Sequence, residues 1–259
     1  MCSQINLRVE RWAAWAPGIE APEEWESWAR GERDFGPLDA APSVAFIKPM
    51  ARRRLSRLSR MALSVAHACA HAGEGEGAGD LAYVFCSRYG EYERTMEALK
   101  ALAEGEPMSP AVFSQSVHNT SAGHFTIINK DRSPVTTIAA NDATLEAGML
   151  EASMLLADER YRRVMVVYHD EPLNEIYGNP HPSFNLPLAA AFMLTSGAGA
   201  SSSLPHLTLS WAPARAGDKA GHREEEHPVL KVLRLVLGRA DEASVPAGRL
   251  TWEWRRHDG

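Results

Sequence analysis

A short polar step between a strand-like and a helix-like segment is the part of the sequence best suited to chemistry. Residues 133–156 read SPVTTIAANDATLEAGMLEASMLL. The β-branched and small residues of Val135–Ala140 favour a buried strand, which Asn141 and Asp142 end. From Ala143 onward, apolar residues recur at helical spacing. The pattern predicts a strand, a two-residue elbow and a helix. Backbone N–H groups at the start of such a helix can hold an anion, and enzymes use such elbows to display a nucleophile.

Three other groups of residues have types that could react or bind a metal. Cys86 ends a predicted strand and could be a nucleophile, but no His/Asp pattern supports it, so a buried structural thiol is preferred. The run His169–Glu171 ends another strand, either as a metal site or, preferably, as a polar turn. His67 and His71 stand four apart on a predicted helix, without an evident third ligand. We predict neither a metal nor a cofactor.

Two further stretches invite a binding interpretation. The glycine-rich run at 73–80, GEGEGAGD, precedes a strand instead of following one, and its acidic residues would repel phosphate. It is predicted to be a linker. Five arginines crowd residues 52–60, either as a solvated basic face or as a docking patch for an acidic partner.

The composition bounds the class of protein. A chain of 259 residues fits one large domain or two small ones. Its net charge of −6 gives no reason to expect nucleic-acid binding. No apolar run approaches the ~20 residues needed to span a bilayer, and the N-terminus lacks the apolar region of a signal peptide. Three cysteines without motif spacing indicate a reducing compartment, so a cytoplasmic location is expected.

The elements that would position the elbow alternate between strands and helices. Strands are predicted at 5–15, 81–87, 135–140, 163–168 and 186–196, and helices at 23–30, 48–72, 92–104, 118–130 and from 143. Loops are predicted at 106–116 and 172–185. Such alternation predicts an α/β layered sheet with helices on both faces. After residue 196 we expect a linker at 197–203, short strands at 207–212 and 250–254, a mobile charged segment at 214–226 and an amphipathic segment at 229–237.

The order of residues before the elbow resembles the N-terminal half of β-ketoacyl synthases of the thiolase fold. The run S-P-x-x-F-x-x-S-x-x-N-x-x-A-G-H is followed by an apolar helix, a second S-P and the strand. The matching residues are Ser109, Pro110, Phe113, Ser116, Asn119, Ala122, Gly123, His124, Thr126, Ile127, Pro134, Thr137 and Ile138. The stretch RRRLSRLSRMAL and the early WAPG are similar to the chain-length factors found with aryl-polyene and polyketide gene sets.

The resemblance implies a layered α-β-α half of a thiolase fold. It covers residues 1–196, the expected synthase-like domain, with a mixed five-stranded sheet between helices. Residues 197–259 are expected to form a short, partly mobile C-terminal extension. The resemblance also implies a heterodimer with a β-ketoacyl synthase, and indirectly an acyl carrier protein as partner, with no nucleic acid and no membrane span.

The departures from the family pattern concern catalysis. Where the synthases hold a catalytic cysteine, the resemblance places Asp142, and a carboxylate cannot exchange acyl thioesters as a thiolate does. It would also repel the carboxylate of malonyl groups. The two catalytic histidines of the family lie in a second half without a counterpart in these 259 residues. Asp142 is interpreted as a helix cap, or alternatively as a group that forms bonds at the subunit interface.

Two functions follow as hypotheses. The leading one is a non-catalytic partner that stabilises an active synthase and shapes its acyl tunnel. Residues expected at the tunnel or the dimer interface are Ala111, Val112, Phe113, Val135, Thr137 and Ala139. If Val112 does not line the tunnel, it fills the core of this subunit. The alternative function is a small thioester hydrolase or decarboxylase that uses Asp142, His169 or Cys86.

Overall fold

The computed structural model describes residues 3–71, 80–158, 160–173, 176, 184–195, 206–214 and 226–257. The strands within these ranges are β1 (Ser3–Trp15), β2 (Leu81–Cys86), β3 (Val135–Ile138), β4 (Arg163–Asp170), β5 (Leu188–Thr195), β6 (His206–Pro213), β7 (Glu242–Ala247) and β8 (Leu250–His257). The helices are α1 (Pro22–Ala29), α2 (Pro49–Arg52), α3 (Arg57–His71), α4 (Tyr92–Ala103), α5 (Pro110–Ser114), α6 (Thr120–Asn129), α7 (Thr144–Leu156) and α8 (Pro228–Val236). A 3-10 turn, Asn141–Ala143, precedes α7.

All the described strands join one sheet in the order β3-β2-β4-β5-β1-β6-β8-β7. Strands β3, β2 and β4 run parallel, and every other neighbouring pair is antiparallel. The predicted α/β layered architecture is confirmed, but the predicted count of five strands is wrong, because β6, β8 and β7 extend the sheet to eight. Local periodicity finds strands but does not show that β6 pairs with the first half of β1.

Helices cover both faces of the sheet and divide its core into two. On one face α3 and α6 bury residues such as Leu63 and Phe125 against β2, β4 and β5. On the other face α7, α8 and α1 bury residues such as Met149, Leu233 and Trp25. Among the described helices, none combines the length and apolarity needed to cross a membrane.

The sheet curls around α7. Strand β7 lies at one edge of the sheet, yet it packs against the 3-10 turn that follows β3 at the opposite edge. Twist of the same hand accumulates from strand to strand and brings distant edges together. As a result, the hairpin of β7 and β8 lies beside the elbow.

The predicted helix 48–72 is wrong as one continuous element, since α2 and α3 are separated at residues 53–56. Ser56 explains the break. Its Oγ accepts a hydrogen bond from the backbone N–H of Ser59 (2.9 Å), which is the N-cap geometry of a new helix. Its hydroxyl also donates to Glu91 Oε1 (2.7 Å). The cap gives the chain an alternative to continuing the helix of α2.

A second correction concerns the predicted loop 106–116, which contains the short helix α5. Pro110 begins α5, in the first-turn position where proline is tolerated. The predicted linkers at 73–80 and 197–203 and the charged segment at 214–226 lie almost entirely outside the described residues.

Candidate functional site

The elbow between β3 and α7 is a tight turn fixed by its own polar groups. Asn141 has a φ of 51°, in the left-handed region that asparagine tolerates better than most residues. Thr144 Oγ1 accepts a hydrogen bond from the backbone N–H of Ala140 (2.9 Å) and donates one to the carbonyl of Asn141 (2.6 Å). The predicted strand–elbow–helix arrangement is therefore confirmed, with a 3-10 turn at its centre.

Asp142 is half-buried within this 3-10 turn. The residue at the N-cap of α7 is Ala143, whose own side chain forms no cap hydrogen bond. The interpretation of Asp142 as the helix cap is therefore wrong, because the 3-10 turn shifts the start of α7 past it. Asp142 remains at the point of the elbow, beside β7.

Cys86 and His169 lie on opposite faces of the sheet. Cys86 is opposite Tyr168 on the neighbouring strand, and both side chains lie in the core against α7. His169 is the next residue along β4, so it points to the other face, where its ring meets that of Phe85 (5.9 Å between centroids). The two groups therefore cannot act on one substrate together with Asp142.

Burial makes both groups unreactive. No part of the Cys86 side chain is exposed, and burial raises the pKa of its thiol. His169 is 1% exposed, and burial lowers its pKa to about 4. At neutral pH the first is a protonated thiol and the second a neutral imidazole, both closed to solvent. The hydrolase or decarboxylase hypothesis lacks an assembled site in the described part of the chain.

The acidic residues after His169 are held by arginines. Asp170 is buried and pairs with Arg88, while Glu171 pairs with Arg57. Tyr168 also donates to Asp170 Oδ2 (3.2 Å), and the guanidinium of Arg88 lies over a phenylalanine ring. The interpretation as a polar turn is wrong, because β4 continues to Asp170 and these charges are buried in pairs. The described residues contain no cluster of three metal-ligating side chains.

The metal-site interpretation of His67 and His71 can be checked at His67 only. His67 stacks on Phe46, with 3.7 Å between the ring centroids. The side chain of His71 lies outside the described part of the structure.

Strand β3 presents an open edge. Within the described residues it pairs only with β2, with Val135 opposite Tyr83 and Thr137 opposite Phe85. Carbonyls of Pro134 and Ile138 accept hydrogen bonds from β2. In a parallel ladder the residues that bond one neighbour alternate, so the even-numbered residues face β2. The backbone N–H of Thr137 therefore points away from β2, toward the open edge.

Apolar side chains are exposed on the helices that precede β3. None of the residues of α5 is buried: Ala111 is exposed, Val112 is half-buried and Phe113 is 60% exposed. Helix α4 packs on α5 and carries Leu99 and Leu102, which are 50% and 60% exposed. Val135 and Thr137 are half-buried and Ala139 is exposed. Apart from Val135, which packs against the core on the α3 and α6 face, the predicted interface residues are exposed or half-buried and lie outside the two cores.

The sequence analysis did not predict that three apolar residues are exposed or that one acidic residue is buried. Leu99, Leu102 and Ile127 are exposed, and the helical pattern of the sequence does not distinguish an apolar stripe that faces solvent from one that faces the core. Glu146 is fully buried. Its place next to Leu145 and three residues before Met149, within an apolar stripe, is the signal that could have identified it.

A comparison with protein families matches residues 25–255 to the family described as "Beta-ketoacyl synthase, N-terminal domain". A comparison with curated proteins found no match. Among solved structures, the ketosynthase ApeO in complex with its chain length factor ApeC from Xenorhabdus doucetiae is similar with a TM-score of 0.79 and 27% identity, covering 97% of this chain and 100% of the matched one.

Two more distant structures share the fold. The ishigamide ketosynthase/chain length factor gives a TM-score of 0.65 at 15% identity, covering 82% of this chain and 68% of the other. The complex of AntDE with its acyl carrier protein AntF gives 0.64 at 13% identity, covering 81% and 69%. The family match spans most of the described sheet, including the elbow, and the first structural match covers nearly the whole chain. The chain belongs to the β-ketoacyl synthase N-terminal domain family and has its thiolase-like fold.

Proposed function

We propose that this protein is a non-catalytic, chain-length-factor-like partner of a β-ketoacyl synthase. It would form a heterodimer with the synthase, stabilise it and shape its acyl tunnel, in polyketide-type synthesis such as that of aryl polyenes. The observation that carries the proposal is Asp142 at the point of the elbow. The resemblance in the sequence implies that the active synthases hold their catalytic cysteine at this position.

Chemistry at the elbow supports the non-catalytic role. A condensing enzyme needs a thiolate that accepts an acyl group and later releases it to a carbanion. A carboxylate is a poor nucleophile toward thioesters. The other two candidates for that chemistry, Cys86 and His169, are buried on opposite faces of the sheet.

The open edge of β3 supports the dimer. An unpaired strand edge is a template for pairing with another chain, and Thr137 presents its N–H to that edge. The neighbouring exposed side chains Phe113, Leu99 and Leu102 supply apolar surface of the kind found at protein interfaces. The similar structures include complexes of a ketosynthase with its chain length factor and of a ketosynthase with an acyl carrier protein.

The exposure of α5 supports a role for its residues in the partner. Val112 and Phe113 are outside the cores of this chain, so they are free to contact another subunit. Small side chains at Ala111 and Val112 would leave a tunnel floor open for a long or stiff acyl chain. The basic residues Arg53 and Arg54 are exposed beside α3 and could contact an acidic carrier protein.

The proposed compartment is the cytoplasm. Cys69 and Cys86 are both free and buried, which fits a protein that has no use for disulfides.

The test is coexpression with a full-length ketosynthase encoded by a neighbouring gene. Native mass spectrometry should find a one-to-one complex, and that complex should elongate acyl groups with malonyl thioesters. This chain alone should show no condensation under the same conditions. Robust elongation by the chain alone would overturn the non-catalytic role, and the absence of a complex would overturn the partner role.

A further inference from the structure

The α5 segment, residues 109–117, lies on the surface of the chain, and none of its residues is buried. Its internal bonds, such as that from the backbone N–H of Phe113 to the carbonyl of Ser109 (3.0 Å), shape the short helix but do not anchor it. On one side it packs against α4, where Thr95 Oγ1 donates to the carbonyl of Ser116 (3.3 Å). The same hydroxyl lies 3.3 Å from a second carbonyl, so its single hydrogen is shared. The attachment of the segment to α4 is therefore weak.

His118 provides a stronger attachment directly after the segment. Its Nε2 lies 2.7 Å from the carbonyl oxygen of Ser87. Because a carbonyl only accepts, Nε2 carries the hydrogen, as it can in both the neutral imidazole and the imidazolium. Ser87 is completely buried, and a buried carbonyl that loses its donor is disfavoured. The bond to His118 therefore fixes the end of the α5 segment to the end of β2.

The same serine holds the end of β3. The backbone N–H of Ser87 donates to the carbonyl of Ile138 (3.2 Å), the last residue of β3. Its Oγ accepts a hydrogen bond from the backbone N–H of Gly90 (2.9 Å), which fixes the turn after β2. One buried residue is thus bonded both to β3, whose edge is open, and to His118, which ends the α5 segment. The spacing between these two surfaces is set through Ser87.

The turn after β2 leaves room for the imidazole of His118 at Gly90. Gly90 has a φ of 58°, in the region that favours glycine. A methyl group added there would lie 3.0 Å from Cα and 3.1 Å from Cδ2 of His118. Those contacts are too close, so a side chain at position 90 would push His118 away from Ser87.

We propose that His118 is a positioning residue. Its bond to Ser87 holds the α5 segment at a fixed place relative to the open edge of β3, so that a single partner can contact both surfaces at once. That a partner contacts them rests on the proposed function. The bond and its effect on the α5 segment are properties of this chain by itself.

The first experiment is hydrogen–deuterium exchange of the isolated full chain, sampled from milliseconds to minutes and read by mass spectrometry in peptides that cover 110–117. His118→Phe keeps a ring but donates no hydrogen bond to Ser87. It should speed exchange in these peptides about fivefold, the factor that corresponds to one typical net hydrogen bond. Peptides from β4 should exchange as in the wild type. His118→Gln, whose side-chain amide can donate again, should restore the wild-type rate to within about twofold.

Gly90→Ala tests the same bond from the other side. The added methyl crowds His118, so this variant should also speed exchange in 110–117. Gly248→Ala is the matched control, because Gly248 has a similar φ of 61° but no atom within 4 Å of the added methyl. It should leave the exchange of 110–117 unchanged. Gly90→Ala also keeps the test decisive if His118→Phe does not fold.

Three outcomes in the isolated chain would overturn the positioning role. One is exchange in 110–117 that is the same in His118→Phe as in the wild type. Another is a His118→Gln rate as fast as that of His118→Phe. The third is a Gly90→Ala rate no faster than that of Gly248→Ala.

The second experiment repeats the measurement on the complex with the full-length synthase. Exchange in 110–117 and in 133–140 should both be slower than in the isolated chain. Protection of only one of these segments would overturn the claim that a partner contacts both. If neither is protected, the proposed interface is wrong, while the role of His118 within this chain is still decided by the first experiment.

Discussion

Helix α7 approaches β2 closely at Gly148, so a substitution at Gly148 tests the described packing of the elbow helix. A methyl group added at Gly148 would lie 2.2 Å from Sγ of Cys86. Non-bonded carbon atoms make contact at about 3.5–4.0 Å, so the methyl and the sulfur cannot both keep their places. Cys86 has no exposed surface into which it could move. Gly148 is therefore what allows α7 to lie close against β2 and so sets the position of the elbow.

The magnitude of the effect follows from two opposing contributions. Overpacking of a full core costs about 1–3 kcal/mol. Alanine is favoured over glycine inside a helix by about 1 kcal/mol. Gly148→Ala should therefore lower the free energy of unfolding by about 0–2 kcal/mol net, or up to roughly 8 °C in Tm for a protein of this size, and should be about 1–3 kcal/mol less stable than an unobstructed Gly→Ala change in a helix.

A second substitution should reverse the effect. Cys86→Ala removes the sulfur, after which the nearest atoms to the new methyl are Val166 Cγ1 at 3.6 Å and Cys86 Cβ at 3.7 Å, both ordinary contacts. Alone, Cys86→Ala leaves a small void and should cost about 1 kcal/mol. The double variant fills that void with the methyl of residue 148. It should be more stable than the sum of the two single changes by about 2 kcal/mol.

Urea unfolding followed by circular dichroism measures all four proteins of this cycle. Gly123→Ala is the matched control, because it is also a glycine within a helix and has no atom within 4 Å of the added methyl. It should be neutral or slightly stabilising. If Gly148→Ala is as stable as Gly123→Ala, or if the double variant is as unstable as Gly148→Ala, then α7 does not approach β2 as described.

Three further predictions concern the proposed partner. Thr137→Pro should leave the circular dichroism spectrum unchanged but abolish the complex on size exclusion, because the lost N–H faces the open edge. The control Thr136→Pro loses an N–H that faces β2 and should instead unfold the chain. A complex that survives Thr137→Pro would place the interface elsewhere. Val112→Trp should leave the complex intact yet shorten its products, and joint loss of stability and binding would mean that Val112 belongs to the core. Asp142→Cys should create no condensing activity in the isolated chain, and a synthase created by this change would refute the inert elbow.

The parts of the fold with strong local patterns were predictable from sequence. The β-branched run at Val135–Ile138 and the apolar run of β4 each identified a strand, because alternation and side-chain shape act over a few residues. The elbow was also predictable, since Asn141 and Asp142 stand between a strand pattern and a helix pattern. These features depend on neighbours in the chain alone.

Features set by distant contacts could not be predicted in this way. Ser56 ends one helix and starts another because it caps α3 and bonds Glu91, which is far away in sequence. Asp170 is buried because Arg88, two residues after the end of β2, neutralises it. The expectation that Val135–Ala140 forms a buried strand was wrong, since β3 is an edge strand with half-buried residues. The residue types of a strand do not show whether it has one neighbouring strand, as an edge strand does, or two.

The central position of β1 has a consequence for the order of folding. Its partners in the sheet come late in the chain: residues 3–8 pair with residues 206–211 of β6, and residues 8–15 pair with residues 189–195 of β5. During synthesis at about 5–20 residues per second, β1 waits roughly 10–35 s before β5 has been made. Throughout that interval its apolar residues Leu7, Val9 and Trp15 have no sheet to join. The emerging chain can therefore misassociate until its last third has been made. Chaperones that bind unpaired strands should have their largest effect on the folding yield during that interval.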